Sequence, residues 1–172
     1  MAKRVNIDFS DFELWLTRVG QKNAEKAVEA ISTQLKIKGP YWTGEFERNW
    51  EITLGEPVPG DKPREDDRDL KDIILEGPRP REINILKAGR DFPNAPESEE
   101  ITYSIANRME YREIAQDLIP EPPRIKSGGN ETADQDWYRT YLKSGLKTTL
   151  SLAINRVAKD PTIKNFKGDL TK

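Results

Sequence analysis

The residues of this chain that could carry out chemistry are few in kind. Its 172 residues include no cysteine and no histidine, which removes thiol nucleophiles, disulfides, Cys/His zinc sites and any triad that needs imidazole as its base. Reactivity would have to rest on carboxylates or lysine. Their densest run is Pro63-Arg64-Glu65-Asp66-Asp67-Arg68-Asp69-Leu70-Lys71. Within it, Asp69 and Lys71 have the acid-x-lysine spacing by which some nucleases set a metal-binding carboxylate beside a charge-stabilising ammonium. Such a site needs a further carboxylate on rigid structure, whereas this run follows Pro57, Pro59, Gly60 and Pro63, the composition of a solvated loop. Ser127-Gly128-Gly129-Asn130 lacks the lysine and the spacing of a phosphate-cradling loop. Trp42, Trp50 and Trp137 lie near basic residues, as base-stacking side chains would. Each also falls where an apolar stripe needs a large residue, and an isoelectric point near 5.5 opposes general binding to a polyanion. The sequence therefore predicts no catalytic, cofactor-binding or metal-ligating residue.

The elements that must position these residues can be read from periodicity. The chain is 35% hydrophobic and 34% charged, with a mean hydropathy of -0.81, and its length suits one domain over residues 1–172 with a thin core. The longest stretch without a charged residue, Thr148 to Asn155, is far too short to cross a membrane, and nothing marks export. Ser10-Asp11-Phe12-Glu13 is a capping box, with the serine accepting from an early helix amide and the glutamate reaching back. From there Phe12, Leu16, Val19, Ala24, Ala27, Val28, Ile31 and Leu35 recur at three- and four-residue steps, so a helix is predicted to about Lys36, stopped by Gly39-Pro40. A second helix is predicted from about Asp136 to Ala158, with Trp137, Tyr141, Leu142, Leu146, Leu150, Ile154 and Val157 on one face and Asp160-Pro161 as its stop. Between them, Phe46 to Leu54 and Ile101 to Ala106 alternate as half-buried strands, with weaker candidates at Leu70 to Leu75 and Glu82 to Leu86. Ten of the twelve prolines lie from Pro57 to Pro123, which predicts short strands and long connections there. Helix, strands, strand, helix is an α+β order.

Charge is unevenly spread. From Glu56 to Gly77 there are eight acidic residues against four basic, and from Trp137 to Lys172 eight basic against two acidic. The simplest place for that attraction is between copies of the protein. The tail from residue 159 to 172 has few apolar residues, and it is predicted to lie along a neighbour through Lys159, Lys164, Phe166 and Lys167 rather than to support its own subunit.

One constellation resembles a known pattern. Between the first helix and the first strand stands Lys38-Gly39-Pro40-Tyr41-Trp42-Thr43-Gly44-Glu45-Phe46-Glu47-Arg48-Asn49-Trp50, a helix stop, a turn in which Gly44 is expected at positive φ, and then a strand. A long helix followed by Pro40, Thr43, Gly44, Phe46, Asn49 and Trp50 in this spacing, with Asn107 four residues before Tyr111, resembles the phage tail-component and neck protein family. These are the tail-completion-like proteins of the head-to-tail junction in long-tailed phages. Arg112 stands where the family usually has a small residue. The resemblance implies an α+β fold in which a small, mostly antiparallel sheet packs against two long helices. It implies a structural virion protein without catalytic residues or cofactor, assembled in the host cytoplasm as a ring of six or twelve copies. That ring would join connector and head-completion proteins to tail-tube or terminator proteins. DNA would pass through it without specific binding, so at least one of two acidic segments, that of Asp61, Glu65, Asp66, Asp67 and Asp69 and that of Glu97, Glu99 and Glu100, is expected to line or rim the channel, the alternative being that they face outward solvent or pair with the basic end of a neighbour. A metal-dependent nuclease using Asp69 and Lys71, and a small protein-binding adaptor, are the two other readings.

Overall fold

A computed structural model describes residues 10–40, 45–63, 83–97, 100–109, 137–161 and 163. The architecture is the expected α+β one. Helix α1 runs Ser10–Lys38, ending where Gly39 donates its amide to the Leu35 carbonyl at 3.0 Å, ahead of Pro40. Its apolar stripe is buried only in the second half. Val28 and Leu35 are buried and Ile31 packs beside them, whereas Leu16 is 47% exposed.

The expected strand from Phe46 starts late. Glu45–Arg48 is a single helical turn, α2, because Glu-Phe-Glu-Arg is made of residues that tolerate helix better than the strand alternation requires. Strand β1 is Trp50–Leu54, and β2 is Tyr103–Asn107, two residues later than its expected start. They pair antiparallel with Trp50 opposite Asn107, Ile52 opposite Ile105 and Leu54 opposite Tyr103. Residues 83–87 form no strand; they cross α1 as irregular chain held by side chains.

The C-terminal helix has three parts: α3 at Trp137–Thr140, a π-helical turn at Tyr141–Gly145, and α4 at Leu146–Ala158. A π turn holds an extra residue and rotates everything after it by about one residue's worth, roughly 100°. The buried face consequently passes from Trp137 and Tyr141 to Thr149, Ala153 and Val157. Leu142 and Ile154, expected on that face, are 44% and 48% exposed.

Two apolar clusters hold these elements together. Leu35, Phe46, Trp50, Trp137 and Tyr141 form one, with Phe46 edge-on to Trp50 at 5.7 Å and to Trp137 at 6.2 Å. Such edge-to-face pairs add about 0.5–1.5 kcal/mol each beyond the area they bury. Val28, Ile52 and Phe92 form the other, with Tyr103 edge-on to Phe92 at 5.6 Å. Among the described residues no helix is long and apolar enough to cross a membrane.

Candidate functional site

The motif residues meet where the end of α1, the α2 turn and the end of the sheet come together. Asn49 donates its side-chain amide to the Glu45 carbonyl at 2.8 Å, and its own carbonyl accepts from the Arg108 amide at 3.2 Å. Asn107, across the sheet from Trp50, donates to the Phe46 carbonyl at 2.6 Å and accepts from the Met109 amide at 3.0 Å. Each asparagine is buried and satisfies backbone groups that the short strands leave over: Asn107 uses its side-chain donor and acceptor together, while Asn49 uses its side-chain donor and its main-chain carbonyl. The helix stop beside them is tight. A Cβ on Gly39 would lie 2.9 Å from the Leu35 carbonyl and 2.9 Å from the Phe46 ring, so only glycine lets α2 approach α1 this closely. The Trp50 indole N–H is buried without an acceptor among the described residues, a cost of about 1–3 kcal/mol that the aromatic packing around it must outweigh.

Beside this junction α1 presents a charged stripe inward. Glu25, Glu29, Ser32 and Lys36 are all buried, at helical steps of four, three and four residues. Glu25 accepts from the Ala95 amide at 3.1 Å, Glu29 from the Ala88 amide at 3.3 Å, and Lys36 donates to the Asn84 carbonyl at 3.0 Å. The stripe thereby ties the segment 83–97 to the helix through backbone groups that lack strand partners. Burial pushes the Glu29 carboxyl up, but hydrogen bonds from Lys26, the Ala88 amide and Lys87 outweigh it and hold the pKa below its ordinary value. Glu51 is held low in the same way: burial raises it and hydrogen bonds from Lys62 and Arg108 lower it further. Lys36 and Glu47 make a buried ion pair at 3.4 Å. No three acidic side chains among the described residues are grouped to hold a metal ion.

The outer flank of the stripe opens into a groove of about 490 Å³ between α1 and α4. Among the described residues, four cations border it, Lys26, Lys38, Lys87 and Arg156, against the single carboxylate Glu29. Its base includes Gly145 of the π turn and Ala153. This feature and the buried charged stripe were not among the sequence expectations. The four-three-four spacing of Glu25, Glu29, Ser32 and Lys36 is the signal that could have revealed the stripe.

The remaining expected residues divide as follows. Pro40, Phe46, Asn49, Trp50 and Asn107 lie at the junction; Thr43, Gly44 and Tyr111 fall outside the described residues. Asp61 is exposed on the loop after β1, while Glu65, Asp66, Asp67, Asp69 and Lys71 lie outside the described residues. Lys159 is exposed just past α4, and Lys164, Phe166 and Lys167 lie outside the described residues. The tail differs from expectation at Ile163, which is 7% exposed and whose carbonyl accepts from the Trp15 indole at 3.1 Å. An apolar side chain and one acceptor suffice to fasten the start of the tail to its own α1. Family models, curated proteins and solved structures offer no match to this chain.

Proposed function

We propose that the chain is a structural virion protein that forms a ring of six or twelve copies in the neck or at the top of the tail of a long-tailed phage. In this reading it joins connector or head-completion proteins to the tail, and none of its residues is catalytic. The observation that carries the reading is the junction. Two motif segments that resemble the neck-protein pattern, far apart in sequence, lie against each other, with Asn107 bonded to the Phe46 carbonyl across 61 positions. A motif whose residues fix one another is what a scaffold needs, since a ring subunit must present the same surfaces in every copy. The uneven charge of the chain, acidic from Glu56 to Gly77 and basic from Trp137 onward, supports contact between copies.

The test is to purify particles of the phage that encodes the chain, identify their proteins by mass spectrometry and determine the neck by electron cryomicroscopy. A closed ring of this chain between head and tail is expected. Particles that lack the chain, or whose neck contains no closed ring of it, refute the reading.

A further inference from the structure

The exposed side of the C-terminal helix carries a row of cations. From Trp137 to Lys159 there are five basic residues and no acidic one. At successive four-residue steps stand Arg139, Lys143, Lys147, Ser151, Asn155 and Lys159, and all six are exposed. Lys143 and Lys147 lie two positions from the buried Tyr141 and Thr149, about 200° round the helix, so they point away from α1. Four-residue steps drift by about 40° each in an α-helix, which would set Lys147 about 80° from Arg139. The π turn at Tyr141–Gly145 takes back roughly 100°, leaving the two within about 20° of each other with Lys143 between them. These three cations thus form a straight row about 12 Å long. Neither Lys143 nor Lys147 has an ion-pair partner among the described residues.

We infer that this row binds the phosphate backbone of nucleic acid without regard to sequence. Lysine and arginine neutralise phosphates, and serine and asparagine bond phosphate oxygens, which is how proteins hold a duplex from outside. A length of about 12 Å spans three or four phosphates of one strand at about 3.4 Å each along the axis. Trp137 and Tyr141 are buried, so these aromatic side chains are offered neither to bases for stacking nor to a lipid surface as anchors. An acidic protein segment would need an apolar anchor beside the charges. Leu142, however, stands about a quarter-turn to one side of the row, and Ile154 about two turns beyond Lys147. The overall charge of -2 does not oppose this contact. At 0.1 M salt, repulsion from acidic groups more than about 10 Å away is largely screened. The inference stands on this helix alone and does not rest on the neck reading.

Fluorescence anisotropy of a labelled duplex of about 20 base pairs, titrated with the full-length protein, tests it. Binding is expected at about 50 mM salt and should weaken about 40-fold by about 200 mM, following the logarithmic slope of about -2.7 that three neutralised phosphates give. Lys143→Glu/Lys147→Glu should lower affinity at the lower salt by about tenfold or more and bring the slope to about -1. Lys38→Glu/Arg156→Glu makes the same change of charge at the groove between α1 and α4, and should alter affinity by less than about threefold. Two duplexes of unrelated sequence should bind alike. No binding at the lower salt, equal losses in the two charge reversals, or a strong preference for one duplex each overturns the inference. So does displacement of the duplex by polyglutamate or by phosphatidylglycerol vesicles as readily as by unlabelled DNA. If the reversed variant fails to fold, Lys143→Gln/Lys147→Gln is measured instead, and a slope unchanged from that of the natural protein overturns the inference equally. A neck ring whose subunit ignores DNA refutes only the row, and DNA binding by a chain missing from particles refutes only the neck.

Discussion

Replacing Gly145 by alanine should destabilise the protein even though alanine is the better helix former. Glycine within a helix costs about 1 kcal/mol relative to alanine, so propensity alone predicts a gain. At Gly145, however, an added Cβ would stand 2.5 Å from Cδ2 and 3.1 Å from Cε2 of Tyr141, where ordinary contact begins at 3.4 Å. The ring must retreat by nearly an ångström. It has nowhere to go, being 2% exposed, packed with Leu35, Trp50 and Trp137, and tied through its hydroxyl to Thr149 at 3.3 Å. Overpacking a filled core costs about 1–3 kcal/mol, so the net change is a loss of about 1 kcal/mol. Gly20 is the control, a helical glycine with nothing within 4 Å of its would-be Cβ, where alanine should stabilise by about 1 kcal/mol. Thermal unfolding followed by circular dichroism should separate the two variants by about 4–8 °C, since each kcal/mol moves a domain of this size by about 2–4 °C. Introducing Gly145→Ala into a Tyr141→Ala background should turn the loss into a gain, because the obstructing ring is gone. If Gly145→Ala raises the midpoint as Gly20→Ala does, the ring does not cover this position and the π turn has been assigned wrongly.

Four further outcomes follow from the same packing. Glu29 and Glu51 have folded pKa values below their ordinary 4.5, so their contribution is present above that value and lost as pH falls through the lower folded one. Stability should be level at neutral pH and fall below about pH 4.5, and Glu29→Gln should flatten that decline in a series of melting curves. Asn107→Ala should cost about 2–3 kcal/mol in urea unfolding, because it strands the buried Phe46 carbonyl and Met109 amide; a cost under 0.5 kcal/mol would refute the bridging role. Lys36→Met should cost about 3 kcal/mol or more by leaving the Glu47 carboxylate buried without its cation, and adding Glu47→Gln should recover part of it. Deleting residues 163–172 should lower stability by about 2 kcal/mol through the loss of buried Ile163, and an unchanged midpoint would show that the tail does not dock.

How much of this was legible in the sequence depended on whether burial followed polarity. The start of the first helix, the Gly-Pro stop and the strand alternation at Trp50 and Ile52 were readable because local chemistry and tertiary packing agree there. The face of α4 was not. Periodicity assumes a constant 100° per residue, and the π turn at Tyr141–Gly145 breaks that assumption without any change in composition. The charged stripe of α1 was also hidden, since Glu25, Glu29 and Lys36 ordinarily mark a solvated face. They are buried because segment 83–97 brings them backbone amides and a carbonyl that form no sheet. Of the candidate site, Asn49 and Asn107 could be singled out through the resemblance, but their pairing required two strands far apart in sequence to be placed in register. The groove needed α4's true rotation and could not be read before it.

The docking of α1 against the end of the chain bears on how the protein is made. Val28 and Leu35 leave the ribosome early, but Trp137 and Tyr141, which close the cluster around Leu35, and Ile163, which receives the Trp15 indole, come roughly a hundred residues later. At about 5–20 residues per second, that is about 5–20 s during which Leu35 and Trp15 on the first helix await these partners. The cluster of Val28, Ile52 and Phe92 and the β1–β2 pair can form once Asn107 has emerged, but the cluster around Leu35 and Trp50 must close in a late step after the last helix emerges. A ribosome-stalled chain ending before Trp137 should therefore be degraded quickly by added protease, and release of the full chain should bring resistance.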